Sequence, residues 1–220
     1  MVDFTWDNIY FDRRIPVLFG LKDMEKASTK ERLISAATDL FSTKGYAGTS
    51  VDEIAAAVGI KGPTIYKYFK GKEDILNNIL ELANVEYVKG MKMHENAKIA
   101  VDSGEVLKQI TLGELRFTLG NENIRKLRKL FTIEQYRNER FTAIANDRQM
   151  NGAKTRVAEI FRHMIDIGTM KPGDPDILAL QFTAPTTILL QYCDREPDKK
   201  DEILKVIEAH IDQFIADHCI

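Results

Sequence analysis

The stretch from Ser50 to Lys72 constrains this chain more than any other. Ala55, Gly59 and Ile65 stand there at offsets of zero, four and ten. A small residue lets two helices approach, a glycine permits a sharp turn between them, and an apolar residue anchors the second helix. Val51, Ile54, Val58, Ile60 and Phe69 complete a buried side. Ser50 and Glu53 have the S-x-x-E spacing of a capping box, which satisfies the free amides of a helix start. Beyond Gly59, Gly62-Pro63 predicts a new helix, because proline suits a first helical position whose N–H would be unpaired anyway. The stretch therefore predicts a helix, a tight turn and a second helix.

That second helix turns Thr64, Lys67 and Tyr68 outward by the three-and-four rule. Between Gly59 and Lys72 the charged residues are Lys61, Lys67, Lys70 and Lys72, with no acid among them. Lysines and hydroxyls donate to phosphate and base acceptors. The second helix of such a pair lies in the major groove, its N-terminal residues nearest the base edges. The candidate DNA-binding residues are Ser50, Lys61, Gly62, Pro63, Thr64, Tyr66, Lys67, Tyr68 and Lys72. Lys72 stands where the next helix begins, so its ammonium and the free amides there suit one phosphate. A net charge of −2 attracts no polyanion by itself, so binding has to rest on this local face. A three-helix core with a solvated lysine face is the plainer alternative.

Helical signals fill the rest of the chain. Ser28 and Glu31 form another capping box, and Leu33, Ala36, Ala37, Leu40 and Phe41 make an apolar stripe that Lys44-Gly45 closes. A fourth helix is expected from Gly71, with Glu73 and Asp74 in its first turn. Further breaks fall at Ser103-Gly104, Gly120-Asn121, Gly168 to Asp174 and Glu196-Pro197-Asp198. Pro175 opens a helix expected to kink at Pro185. The last helix presents Ile203, Leu204, Ile207, Ile211, Phe214 and Ile215 as one stripe. No strand alternation is legible, so the expected fold is all-α. Residues 1–23 read as an N-terminal extension, 24–76 as a helix-turn-helix domain and 77–220 as a larger helical domain.

The segment TSVDEIAAAVGIKGPTIYKYFKGKEDIL resembles the signature of the tetracycline-repressor (TetR/AcrR) family, and LISAATDLFSTKGYAGTS extends the likeness back to Leu33. The family's tyrosine-x-x-phenylalanine element stands at Tyr66 to Phe69, and its lysine-glutamate helix start at Lys72-Glu73. The chain departs from the pattern where many members carry a serine cap; Lys61-Gly62-Pro63 stands there instead. The resemblance implies a homodimer, a two-fold double-stranded DNA operator, and a C-terminal region that binds a small-molecule inducer and so lowers DNA affinity. It also implies that the helices at 175–192 and 198–217 pair with their copies as a four-helix bundle. The same stripes could instead serve the core of a single chain. Met91, Phe117, Phe131, Tyr136 and Phe161 are candidate linings for the implied ligand pocket, although aromatics at helical spacing are more often plain core.

Other chemistries find little support. Only Cys193 and Cys219 occur, without CxxC spacing, which argues against a disulfide framework or zinc knuckle. Glu159 and His163 lie one turn apart, yet a metal site needs three or four ligands and no second pair accompanies them among His94, His210 and His218. Asp194 beside Cys193 lacks a partnered histidine. No metal, cofactor or catalytic activity is expected. With 44% hydrophobic residues and no run of the ~18–20 apolar residues that span a bilayer, the chain reads as globular and cytoplasmic, with no membrane partner. The second functional reading is a helical enzyme or ligand carrier that keeps the helix-turn-helix as a packing module.

Overall fold

A computed structural model describes residues 27–92 and 101–220, and every regular element among them is helical. The readings placed on residues 1–23 and on His94 fall outside the described residues. The long helices are α1 (Thr29–Lys44), α2 (Val51–Ala57), α3 (Lys72–Lys92), α4 (Gly104–Gly120) and α5 (Glu122–Glu134), followed by α6 (Glu139–Asp147), α7 (Ala153–Asp166), α8 (Pro175–Arg195) and α9 (Lys200–His218). Short 3-10 segments cover Gly62–Lys67 and Pro197–Lys199, and a π turn, Arg148–Gly152, joins α6 to α7. An isolated bridge pairs Met170 with Cys219.

The helix starts follow local chemistry. Ser28 Oγ accepts from the Glu31 amide at 3.3 Å while Glu31 Oε2 accepts from the Ser28 amide at 2.7 Å. Ser103, Asn121 and Asp174 cap α4, α5 and α8 from one side only, each accepting from an amide of the first turn. At Pro185, where the sequence predicts a kink, α8 runs unbroken from Pro175 to Arg195.

Two apolar clusters form the interior. The first joins Leu33, Ala37 and Phe41 of α1 to Ile54 and Ala55 of α2, Ile65, Phe69 and Ile75. It is completed by Leu127, Leu130 and Phe131 of α5 and Phe141 of α6, so the N-terminal helices share their core with the C-terminal part. The second cluster packs α4, α7, α8 and α9 around Phe161, Phe182 and Phe214. Those rings touch one another, with Phe161 stacked on Phe214 at 5.4 Å and Phe182 edge-on to it at 4.9 Å. Such pairs add directional preference to area burial. The α9 stripe of Ile203, Ile207, Ile211 and Phe214 is buried here, within the chain's own core. On α8, by contrast, Ile177, Leu180, Ile188 and Tyr192 remain exposed.

Candidate nucleic-acid interface

The start of α2 is held by a closed ring of polar contacts. Ser50 Oγ accepts from the Glu53 amide at 3.1 Å and donates to Glu53 Oε2 at 3.0 Å, and the Ser50 amide donates to the same oxygen at 2.8 Å. Lys44, in the last turn of α1, pairs with Glu53 Oε1 at 2.7 Å. The Lys44 ammonium, then the Ser50 amide and hydroxyl, hold the Glu53 carboxyl down to about 2. Ser50 therefore spends its one hydroxyl proton inside the protein, and its place at this surface is that of a helix cap.

The turn forms as its glycine predicts. Gly59 adopts φ +75°, and the Ile60 amide returns to the Ala55 carbonyl at 3.0 Å. The Arg32 guanidinium, from α1, donates to the Val58 carbonyl at 2.8 Å and ties the end of α2 to the first helix. Lys44 and Arg32 both escape sequence reasoning, because each acts across a gap of 9 or 26 residues.

Beyond the turn the structure differs in one respect from the expected α-helix. Gly62–Lys67 is a 3-10 segment with no side-chain cap, and its amide bonds run from Thr64 to Lys61 and from Tyr68 to Ile65, each at 2.9 Å. The physical reason is anchorage: Ile65 is fully buried and Phe69 nearly so, four residues apart, and they pin a segment too short for a full α-helical ladder. In a 3-10 turn residues three apart eclipse, so Thr64 and Lys67 share one file, and Lys61 precedes them as the extended N-cap. Lys61 and Lys67 are exposed, Thr64 half-buried, and Pro63 exposed at the first turn. Tyr66 is 63% exposed and Tyr68 38%, which makes Tyr66 the more prominent phenol. At Gly62 an added methyl would lie 1.9 Å from Asp52 Oδ1, so the segment presses against the start of α2.

Lys72 has a structural part beside the phosphate contact expected of it. Its Nζ donates to the Tyr46 and Thr49 carbonyls, both at 2.8 Å, and lies 4.4 Å from the Tyr46 ring centre. Two of its three protons thus fasten the α1–α2 loop to the start of α3, leaving one for a phosphate. Lys61, Lys67 and Lys70 form no ion pair among the described residues. Lys30 reaches over the Phe69 ring at 5.5 Å and adds a cation beside the same face.

The candidate pocket residues whose side chains are described do not share one cluster. Phe131 belongs to the first cluster, edge-on to Phe141 at 5.3 Å and beneath the Arg148 guanidinium at 4.2 Å. Phe161 lies in the second cluster, while Phe117 and Tyr136 are 40% and 87% exposed. Met91 lies in the last turn of α3, and its side chain is outside the described residues. No cluster of metal-ligating side chains occurs among the described residues, and no helix among them is long and apolar enough to cross a membrane.

Against known proteins, residues 33–79 match the model for bacterial regulatory proteins of the tetR family. The HTH-type transcriptional regulator AcrR of Shigella flexneri is 29% identical over 154 residues, which are 68% of this chain and 70% of that protein. The IcaR negative regulator of the biofilm operon in Staphylococcus epidermidis is 40% identical over 52 residues, or 24% of this chain and 28% of that one. Among solved structures, the SmeT–triclosan complex superposes with a TM-score of 0.68 at 22% identity, covering 88% of this chain and 93% of that one. The fatty acid degradation regulator FadR of Bacillus halodurans superposes with a TM-score of 0.64 at 19% identity, covering 86% and 96%. At these identities the two superpositions speak for the fold.

Proposed function

We propose that this chain, whose residues 33–79 match the model for bacterial regulatory proteins of the tetR family, is a ligand-responsive transcriptional repressor. One observation carries this reading. Lys61 and Lys67 are exposed, with Thr64 half-buried between them, on a segment whose opposite side, Ile65 and Phe69, is locked in the core. A rigidly backed basic file is what a major-groove reader needs, because phosphate contacts position it and side chains near its start reach the bases.

Residues 24–76 act as the reading head and 77–220 as the effector and dimerisation part. Lys61, Lys67 and Tyr66 contact phosphates, Thr64 and Tyr68 approach base edges, and Ser50 and Lys72 keep the frame in shape. Two copies pair through α8, whose Ile177, Leu180, Ile188 and Tyr192 stay exposed in the single chain. Exposed apolar residues along one helix favour association, since burying them removes apolar area from water. The paired reading heads then meet half-sites about 34 Å apart, one helical turn, or a multiple of it. A small molecule releases the DNA by binding more tightly to the state that cannot span both half-sites. The named activities of AcrR, IcaR and SmeT, as regulator, negative regulator and repressor, support this reading, as does the triclosan complex of SmeT.

The test is a mobility shift on the DNA immediately upstream of the chain's own gene, across a salt series with non-specific competitor. Selective binding that weakens steeply with salt is the expected result. Binding no tighter than to competitor, on this and on randomised-sequence libraries, overturns the reading.

A further inference from the structure

A cleft of about 190 Å³ opens where the α4–α5 turn meets the end of α8 and the start of α9. Leu119 and Cys193 supply apolar wall, and Glu122, Arg125, Asp194 and Lys200 supply four charges. Both acids are already matched. Asp194 accepts from Arg128 Nε at 2.8 Å and from a terminal guanidinium nitrogen at 2.7 Å, and Glu122 pairs with Lys126 at 3.2 Å. Arg125 and Lys200 have no carboxylate partner among the described residues. The neighbouring acid Glu202 is taken by Lys199 at 2.9 Å.

Two uncompensated cations in one concave site hold an anion better than they hold water, and a guanidinium with an ammonium matches an oxyanion. We propose that this cleft is a binding site for a small oxyanion, a carboxylate or a phosphate. Its position also makes it a reporting site. Lys126, which neutralises Glu122 in the cleft wall, makes a second ion pair with Asp39 of α1 at 2.5 Å. A negative charge arriving beside Glu122 also attracts Lys126 away from Asp39, and so bears on the helix that backs the reading head. This inference rests on the regulator reading only for that consequence; the site itself stands on the cleft.

Calorimetric titration of the full chain with inorganic phosphate, and separately with butyrate, at ionic strength held constant with chloride, tests the site and tells the two oxyanions apart. Saturable binding of at least one is expected, weakened tenfold or more by Arg125→Gln and by Lys200→Gln and unchanged by Lys199→Gln. Absence of saturable binding to both probes overturns the proposal. So does equal weakening by Lys199→Gln, which would mean general surface attraction. A mobility shift on the same preparations separates the two readings: DNA binding without anion binding removes only the cleft, and anion binding without DNA binding removes only the regulator.

Discussion

The Glu134 carboxylate, on α5, accepts a hydrogen bond from the Tyr46 amide at 2.8 Å, across 88 residues of chain. Glu134 is 2% exposed, and the same Oε1 lies where a Cβ on Gly45 would come within 2.7 Å. Gly45 has φ +79° and closes α1, so one carboxylate docks on the end of the helix that backs the reading head. Together with Lys126 on Asp39, it makes α5 the member that joins the two parts of the molecule.

Replacing Glu134 by alanine leaves the Tyr46 amide without its partner and costs about 1–3 kcal/mol in urea unfolding. Gly45→Ala is destabilising too, by about 1–2 kcal/mol for the left-handed backbone alone. Combining the two costs less than the sum, because the alanine methyl no longer meets the carboxylate. Strict additivity would disprove the contact.

Lys67→Glu lowers operator affinity by about tenfold or more and reduces the salt slope by about one, since a phosphate contact is lost. Lys67 is exposed and free of ion pairs among the described residues, so thermal unfolding stays within about 0.5 kcal/mol of the parent. Undiminished selective binding in a mobility shift would dismiss this face.

Lys72→Met behaves in the opposite way. It removes two hydrogen bonds to the α1–α2 loop and the cation over Tyr46, so stability falls by about 1–3 kcal/mol in denaturant melts. Any loss of DNA affinity follows from that loosening, and recovers when the protein is stabilised by lower temperature or osmolyte.

The Glu53 carboxyl titrates at about 2, below its ordinary value of 4.5. A depressed carboxylate contributes stability above the unfolded value and loses it as pH falls through the folded one. The stability difference between the parent and Glu53→Gln is therefore full above pH 4.5 and shrinks between there and pH 2. Carboxyl chemical shifts followed against pH check the titration directly; a Glu53 midpoint near 4.5 would refute it.

Arg128 and Asp194 form a two-pronged pair, with 18% and 7% of their side chains exposed. Asp194→Ala strands the guanidinium and costs about 3 kcal/mol, whereas Arg128→Met with Asp194→Leu restores most of it. Thermal melts of the three variants distinguish a stranded charge from lost packing, in which the double variant would be the least stable.

What the sequence determined by itself was local. Caps at Ser28, Ser50, Ser103 and Asn121, the glycine turn at Gly59 and the apolar stripes of α1 and α9 each depend on residues within one or two turns, so their spacing announces them. The exposed lysines of Lys61 to Lys70 were legible for the same reason. What the tertiary structure decided lies between residues far apart. Whether Lys72 faces a phosphate or the Tyr46 and Thr49 carbonyls depends on where the α1–α2 loop folds. Whether α9 or α8 keeps an exposed stripe depends on which face the core claims first. Glu134 on Tyr46 joins α5 to the loop after α1, and the cleft that leaves Arg125 and Lys200 unmatched arises where α4, α5, α8 and α9 converge. A hydrophobic period states that a face is buried, not against what, and a charge states no partner until the chain has closed around it.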